Sequence, residues 1–149
     1  MIRKNIILIS LIFFLTNCGF TPIYKKNAAI NFSIEQVNYT GDRELNNFLK
    51  TNLNQYKNKN IENKIYIETE SEYRKIVFTK DGTGKITSYQ LEAEVVFLIK
   101  STNKKIKAFE KKIINSMDDK FEETRLEKSI KQSFASSIAN KLISELIIN

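Results

Sequence analysis

Lys80-Asp81-Gly82-Thr83-Gly84-Lys85, followed by Ser88-Tyr89-Gln90-Leu91-Glu92-Ala93-Glu94-Val95-Val96-Phe97-Leu98-Ile99, decides the fold. Tyr89, Leu91, Ala93, Val95, Phe97 and Ile99 recur at every second position, with Ser88, Gln90, Glu92 and Glu94 between them. That period of two is a strand with one buried face. The even positions turn apolar at Val96 and Leu98, so that end is expected to be covered on both faces. The Asp81-Gly82 pair supplies the positive φ that a tight hairpin turn needs.

Working outward, Ile65, Ile67 and Thr69 face one way and Tyr66, Glu68 and Glu70 the other, which makes the first arm of the hairpin. Ile76 and Phe78 fall on the opposite parity, so a bulge or bend within residues 71–75 is expected. Ser101-Thr102-Asn103-Lys104 reads as a second turn, and residues 105–115 as a further strand. Upstream, Ile30, Phe32 and Ile34 alternate, and Val37 and Tyr39 resume after a slip, giving an edge-quality strand over residues 30–39. Thr40-Gly41-Asp42 is a turn, and Asp42 is placed to cap a helix over residues 43–56. In that helix Leu45, Phe48, Leu49, Leu53 and Tyr56 form a narrow apolar stripe. The C-terminal segment is a long helix. Leu126, Ile130, Phe134, Ile138, Leu142 and Leu146 step by four, with Ala135, Ala139, Ile143 and Ile147 beside them.

The order is β-α-β-β-β-α. It predicts an α+β two-layer sandwich over residues 30–149, with a four-stranded, largely antiparallel sheet and both helices on one face.

Residues 1–17 have a different character. Arg3 and Lys4 precede a short apolar run from Ile6 to Leu15, and Leu15-Thr16-Asn17-Cys18 follows. This is the pattern of a cleaved lipoprotein signal peptide, too short for a membrane span. Asn17 stands where a smaller residue is usual. Cys18 is the only cysteine, so it has no intrachain disulfide partner, and lipid attachment is its expected role. Residues 18–29 then form a lipidated tether. Within it Phe20, Pro22, Ile23 and Tyr24 are expected at the membrane or partner boundary.

Composition narrows the chemistry. Arg3 and Lys4 take two of the +7 formal charges away with the leader, so the remaining chain stays basic. A basic surface attracts polyanions. For an exported, anchored protein these are anionic lipid or phosphorylated glycolipid rather than nucleic acid. There is no histidine, and acylation would consume Cys18. A Ser-His-Asp or Cys-His machine therefore cannot be built, nor can a His/Cys metal site. The acids lie beside lysines, as in Glu110-Lys111 and Glu127-Lys128, which is the pattern of solvated surface. We read no catalytic residues, no metal and no cofactor beyond the acyl chains on Cys18. A paired-carboxylate hydrolase stays open in principle.

Cys18-Gly19-Phe20-Thr21-Pro22-Ile23-Tyr24 resembles the opening of the LptE family of lipopolysaccharide-assembly lipoproteins, which begins Cys-Gly-Phe, any residue, Pro, aliphatic, Tyr. The last helix, around Phe134-Ala135-Ser136-Ser137-Ile138-Ala139, is similar to that family's Ala-rich end, though richer in Ile, Lys and Asn. The resemblance implies a diacylglycerol and an N-acyl chain on Cys18 and a periplasm-facing anchor in the outer membrane. It also implies a role as a plug and assembly aid for the β-barrel protein LptD, with a part in inserting lipopolysaccharide into the outer leaflet. Arg74, Lys75, Lys80 and Lys85, which the hairpin gathers near one end of the sheet, are the candidate lipopolysaccharide contacts. Lys104, Lys105 and Lys107 form a second basic cluster at the next turn. The alternative reading is a generic envelope lipoprotein that binds another periplasmic partner or peptidoglycan.

Overall fold

The computed structural model describes residues 30–58 and 60–148. Residues 1–29 lie outside that range, and with them the signal peptide, Cys18, and Phe20, Pro22, Ile23 and Tyr24. Strand β1 spans Ser33–Gly41, helix α1 Arg43–Leu53, β2 Lys64–Lys80, β3 Ile86–Ile99, β4 Lys104–Asn115 and helix α2 Lys120–Ile148. A 3-10 turn, Asn54–Tyr56, extends α1. The sheet order is β1-β2-β3-β4; β1 runs parallel to β2, and the other two pairs are antiparallel. The architecture is α+β, with both helices against one face of a mixed sheet.

Local signals in the sequence account for the element ends. The Asp42 side chain accepts the Leu45 N–H at 2.7 Å and so starts α1. Asp119 does the same for α2, accepting the N–H of Phe121 at 2.8 Å. The slip in β1 is a bulge, because Ile34 pairs with Ile65 and Gln36 with Tyr66, leaving Glu35 between them.

Leu91, Ala93, Val95, Phe97 and Ile99 form the floor of the core, fully or almost fully buried. Ile65 and Ile67 extend it on β2, and Ile106, Ala108 and Ile114 on β4. Leu45, Leu49 and Leu53 of α1 close it from above, with Ile130, Phe134, Ile138 and Leu142 of α2. Burial of each such side chain contributes about 1.5–3 kcal/mol. Ala135 and Ala139 are also buried, and their small size lets α2 lie close over the sheet.

The structure corrects three expectations. First, β2 has no bulge at residues 71–75, because its ladder with β3 is unbroken from Ile67 to Val77. Ser71, Tyr73 and Lys75 keep the helix-facing parity, while Ile76 points to the open face, 42% exposed, and Phe78, unpaired at the register shift, is 52% exposed. The register shift falls instead at Phe78, between Val77 and Thr79. Second, the hairpin's positive φ belongs to Gly84 (85°) rather than to the Asp81-Gly82 pair. The Gly84 N–H closes a turn on the Asp81 carbonyl at 3.0 Å, and the Asp81 carboxylate accepts from the N–H of Thr83 and Lys85. A four-residue turn ending in a left-handed glycine replaces the two-residue one. Third, no described element covers Val96 and Leu98; both are half-buried among neighbouring strand residues.

At the hairpin end, length also leaves the helix-facing side uncovered. A 17-residue strand extends roughly 55 Å, whereas a 29-residue helix extends roughly 43 Å. The first turn of α2 reaches Lys75, and the hairpin continues beyond it.

Gly41 joins β1 to α1 with φ 92°, and a Cβ there would stand 1.8 Å from the Ser71 carbonyl oxygen. Neither the conformation nor the space admits a side chain. Gly41→Ala is expected to lower unfolding free energy by about 2–4 kcal/mol, measured by urea denaturation.

Candidate functional site

The hairpin end of the sheet collects the residues singled out in the sequence, but it does not make them one cluster. Adjacent strand residues face opposite sides, so Arg74 and Lys75 part. Arg74 lies on the open face, with guanidinium nitrogens 3.0 Å from Glu92 and 3.6 Å from Glu72. Lys75 turns under α2. Its Nζ is 2.9 Å from carboxylate oxygens of both Glu123 and Glu127 and 4.4 Å from the centre of the Tyr89 ring. Lys80 is exposed at the end of β2. Lys85 is at the far side of the turn, 3.2 Å from Asp118, with both side chains largely in solvent. Of the four, Lys80 and Lys85 remain presented to a ligand, Arg74 is shared with two acids, and Lys75, though still partly accessible, is paired with two acids of α2.

Lys75 belongs to a polar network that fastens β2 to both helices. Glu123 is its hub, 4% exposed. It accepts the Met117 N–H at 2.9 Å and the Nζ of Lys120 and of Lys75, also at 2.9 Å. Burial alone would raise the Glu123 pKa, but these donors outweigh it and hold the carboxyl at about 2. Burial also depresses Lys75, yet its bonds to Glu123 and Glu127 leave its pKa raised overall. The Tyr73 hydroxyl donates to Glu127 at 3.0 Å. Burial and the negative charge of Glu127 together keep that phenol protonated. Lys131 of α2, 7% exposed, lies 3.9 Å over the Tyr73 ring and 2.9 Å from Glu44 of α1. This is an interlayer fastening in which the two buried charges, Glu123 and Lys131, are each paired with partly exposed partners.

The sequence did not mark as surface the apolar patch at the same end. Ile76 of β2 and Ile113 of β4 are exposed on the open face, and around the same end Val77 on the helix-facing parity, Phe78 at the register shift and Phe121 of α2 are exposed as well. Ile76 and Ile113 align in one row across Gln90. Lys111 and Lys112 flank Ile113. The available signal was the parity itself: Ile76 and Phe78 are out of phase with Ile65 and Ile67, which is how a second, outward apolar row reads. Below this patch the open face is charged. Glu68, Glu70, Glu72, Glu92 and Glu94 run along β2 and β3, with Lys105, Lys107 and Lys111 on β4. Among the described residues no group of three acidic, histidine or cysteine side chains assembles to hold a metal.

The described chain begins at Ile30, beside the start of β1, where Ser33 pairs with Lys64. The turn at Asp81 lies at the other end of β2. The described chain thus starts at one end of the sheet, and the exposed apolar residues lie at the opposite end.

No family model matches this chain, and no curated protein matches its sequence. Solved structures do share its fold. Rare lipoprotein B from Shewanella oneidensis aligns with a TM-score of 0.53 at 12% identity, over 74% of this chain and 92% of that one. A lipoprotein B from Nitrosomonas europaea gives 0.52 at 12% identity, over 76% and 83%. A minor lipoprotein from Acinetobacter baumannii gives 0.51 at 16% identity, over 74% and 94%. At these identities the likeness is one of fold.

The depressed Glu123 pKa has a consequence for stability. Its charged form favours the folded state at any pH above the ordinary glutamate range, and that contribution drains away as pH falls from about 4.5 toward 2. Glu123→Gln is expected to cost about 1–3 kcal/mol at pH 7, with the gap to the parent protein closing below pH 3. Urea titrations at the two pH values measure this.

Proposed function

We propose that this protein is an outer-membrane lipoprotein, acylated at Cys18, that fills and helps assemble an LptD-like β-barrel and takes part in inserting lipopolysaccharide into the outer leaflet. The observation that carries the reading is the coincidence of two independent features. The chain opens with a lipoprotein signal and the Cys18-Gly19-Phe20 start, and its folded body shares the fold of three bacterial lipoproteins.

The physical account runs from the anchor outward. Each buried CH₂ of an acyl chain contributes ~0.8 kcal/mol, and two or more chains make membrane residence stable. From Cys18 to Ile30 the tether reaches at most about 40 Å when fully extended. Phe20, Pro22, Ile23 and Tyr24 would lie at the boundary between bilayer and partner. The lumen of a membrane barrel is polar, and the open sheet face, with its rows of Glu and Lys, has matching chemistry. The apolar hairpin end would meet the partner or the glycolipid's acyl region, while Lys80 and Lys85 supply cations for its phosphates. Arg74 and Lys75 then act from behind, by fixing the hairpin's position.

Cys18→Ser is expected to release the protein from outer membranes, with mass spectrometry finding no acylated N-terminus. Affinity purification of the parent protein from detergent-extracted outer membranes is expected to recover a large β-barrel, and depletion is expected to lower surface lipopolysaccharide. A protein recovered without a barrel, from cells whose surface lipopolysaccharide is unchanged on depletion, overturns the proposal. The exposed residues give a finer check. Phe78→Ser with Ile113→Thr is expected to change the stability of the free protein by no more than about 0.5 kcal/mol per site, yet to reduce barrel recovery several-fold.

A further inference from the structure

We infer that the free edge of β4 is a docking edge for an extended, acidic segment of a partner protein, taken up as a fifth strand. The inference is independent of the barrel reading, because filling a lumen does not require strand addition.

The backbone supplies the first argument. The Ser116 N–H donates to the Thr87 carbonyl at 2.8 Å, and the β3–β4 register is one-to-one from Ser88–Asn115 to Ile99–Lys104. In an antiparallel pair, alternate residues exchange both hydrogen bonds with the neighbour, and the rest turn theirs away. The even-numbered residues of β4 therefore bond to β3. Lys105, Lys107, Phe109, Lys111 and Ile113 aim N–H and C=O off the sheet. The Phe109 carbonyl confirms the direction, accepting from Lys141 Nζ of α2 at 3.3 Å. Among the described residues no other backbone group pairs with this edge. The opposite edge is less suited, because β1 is broken by the Glu35 bulge and its Thr40 carbonyl accepts from Asn46 and Ser71.

Space and charge supply the second. An open groove of about 570 Å³ lies between this edge and α2, walled on the helix side by Ser137, Asn140, Lys141, Ser144 and Glu145, of which the two serines leave the most room for a strand. Side chains of an added strand alternate between two faces. On the open face they would meet Lys105 and Lys107; on the helix side they would meet Lys104 and Lys141. Three of these lysines have acidic neighbours, Lys104 with Glu145, Lys107 with Glu94 and Lys141 with Glu110. The Lys104 and Lys107 pairs are largely exposed and exchange readily, whereas Lys141 is held more firmly, because Glu110 also accepts from Ser137 at 2.7 Å. The lysines also decide between occupants. They oppose a second copy, because two such edges would set lysine against lysine. They favour carboxylates at alternate positions of a partner chain.

The test uses the full chain in detergent, with a fluorescein-labelled peptide of alternating Glu and Thr as probe. Saturable binding is expected by anisotropy, with little for a Lys-Thr peptide. Amide exchange at Lys105, Lys107, Phe109, Lys111 and Ile113 is expected to slow roughly tenfold, with the even-numbered neighbours unchanged. Lys107→Pro removes an outward N–H without touching the β3 ladder and is expected to weaken binding roughly tenfold. Lys107→Gln, which removes only charge, is expected to weaken it a few-fold. If the proline variant does not fold by circular dichroism, Lys105→Glu with Lys107→Glu carries the test, since it must transfer preference to the Lys-Thr peptide. The inference is overturned by exchange slowed at both parities or at neither, by binding indifferent to the proline, by the same slowing with phosphatidylglycerol vesicles, or by slowing that follows protein concentration alone.

Discussion

Everything in this fold depends on burying one face of β3. Leu91, Ala93, Val95, Phe97 and Ile99 lie at the centre of the sheet, and no other strand has so continuous a buried row. The hydrophobic effect acts on area and is indifferent to direction, but a strand offers only two faces. Once one face of β3 is committed to the helices, the ladders commit β2 and β4 as well, because cross-strand partners share a face. The other face is then left to charge pairs and to whatever partner the protein meets.

That one-sided cover also shapes the functional end. The helices supply less length than the hairpin needs, so β2 and β3 run past the first turn of α2. There the protein spends its buried charges. Glu123, Lys75, Glu127 and Lys131 hold the last covered turn of the hairpin against both helices. An ion network of this kind is a poor source of stability compared with apolar packing, but it fixes geometry. Beyond it, Ile76, Val77 and Phe78 are held outward on a well-anchored base. A rigid base under an exposed apolar tip reduces the ordering cost of binding.

The two ends of the sheet therefore have different chemistry. The described chain begins beside β1 at one end, and the exposed apolar residues stand at the other. Between them, the open face and the β4 edge carry lysines and glutamates in register. The start of the described chain, the charged open face and the apolar tip follow one another along the sheet in that order.

Period and turn chemistry were enough to read the element order, the Asp42 cap, the slip in β1 and the hairpin, because each is set by interactions within a few residues. The expectation of a lipoprotein leader rests on residues 1–17, which lie outside the described residues. Tertiary structure decided which apolar residues are core. The period of two assigns Ile76 and Phe78 to a face without saying whether anything covers that face. Ile76 lies on the face that neither helix covers, whereas Val77 keeps the helix-facing parity and is exposed because α2 ends short of it. The same holds for the lysines: Arg74 and Lys75 read as one cluster, yet the pleat separates them and α2 claims one. The left-handed glycine in the hairpin was misassigned because Asp81 organises the turn through its carboxylate, moving the positive φ to Gly84. Local rules name the parts and their periods; only the packed layers determine which side meets protein and which meets the outside.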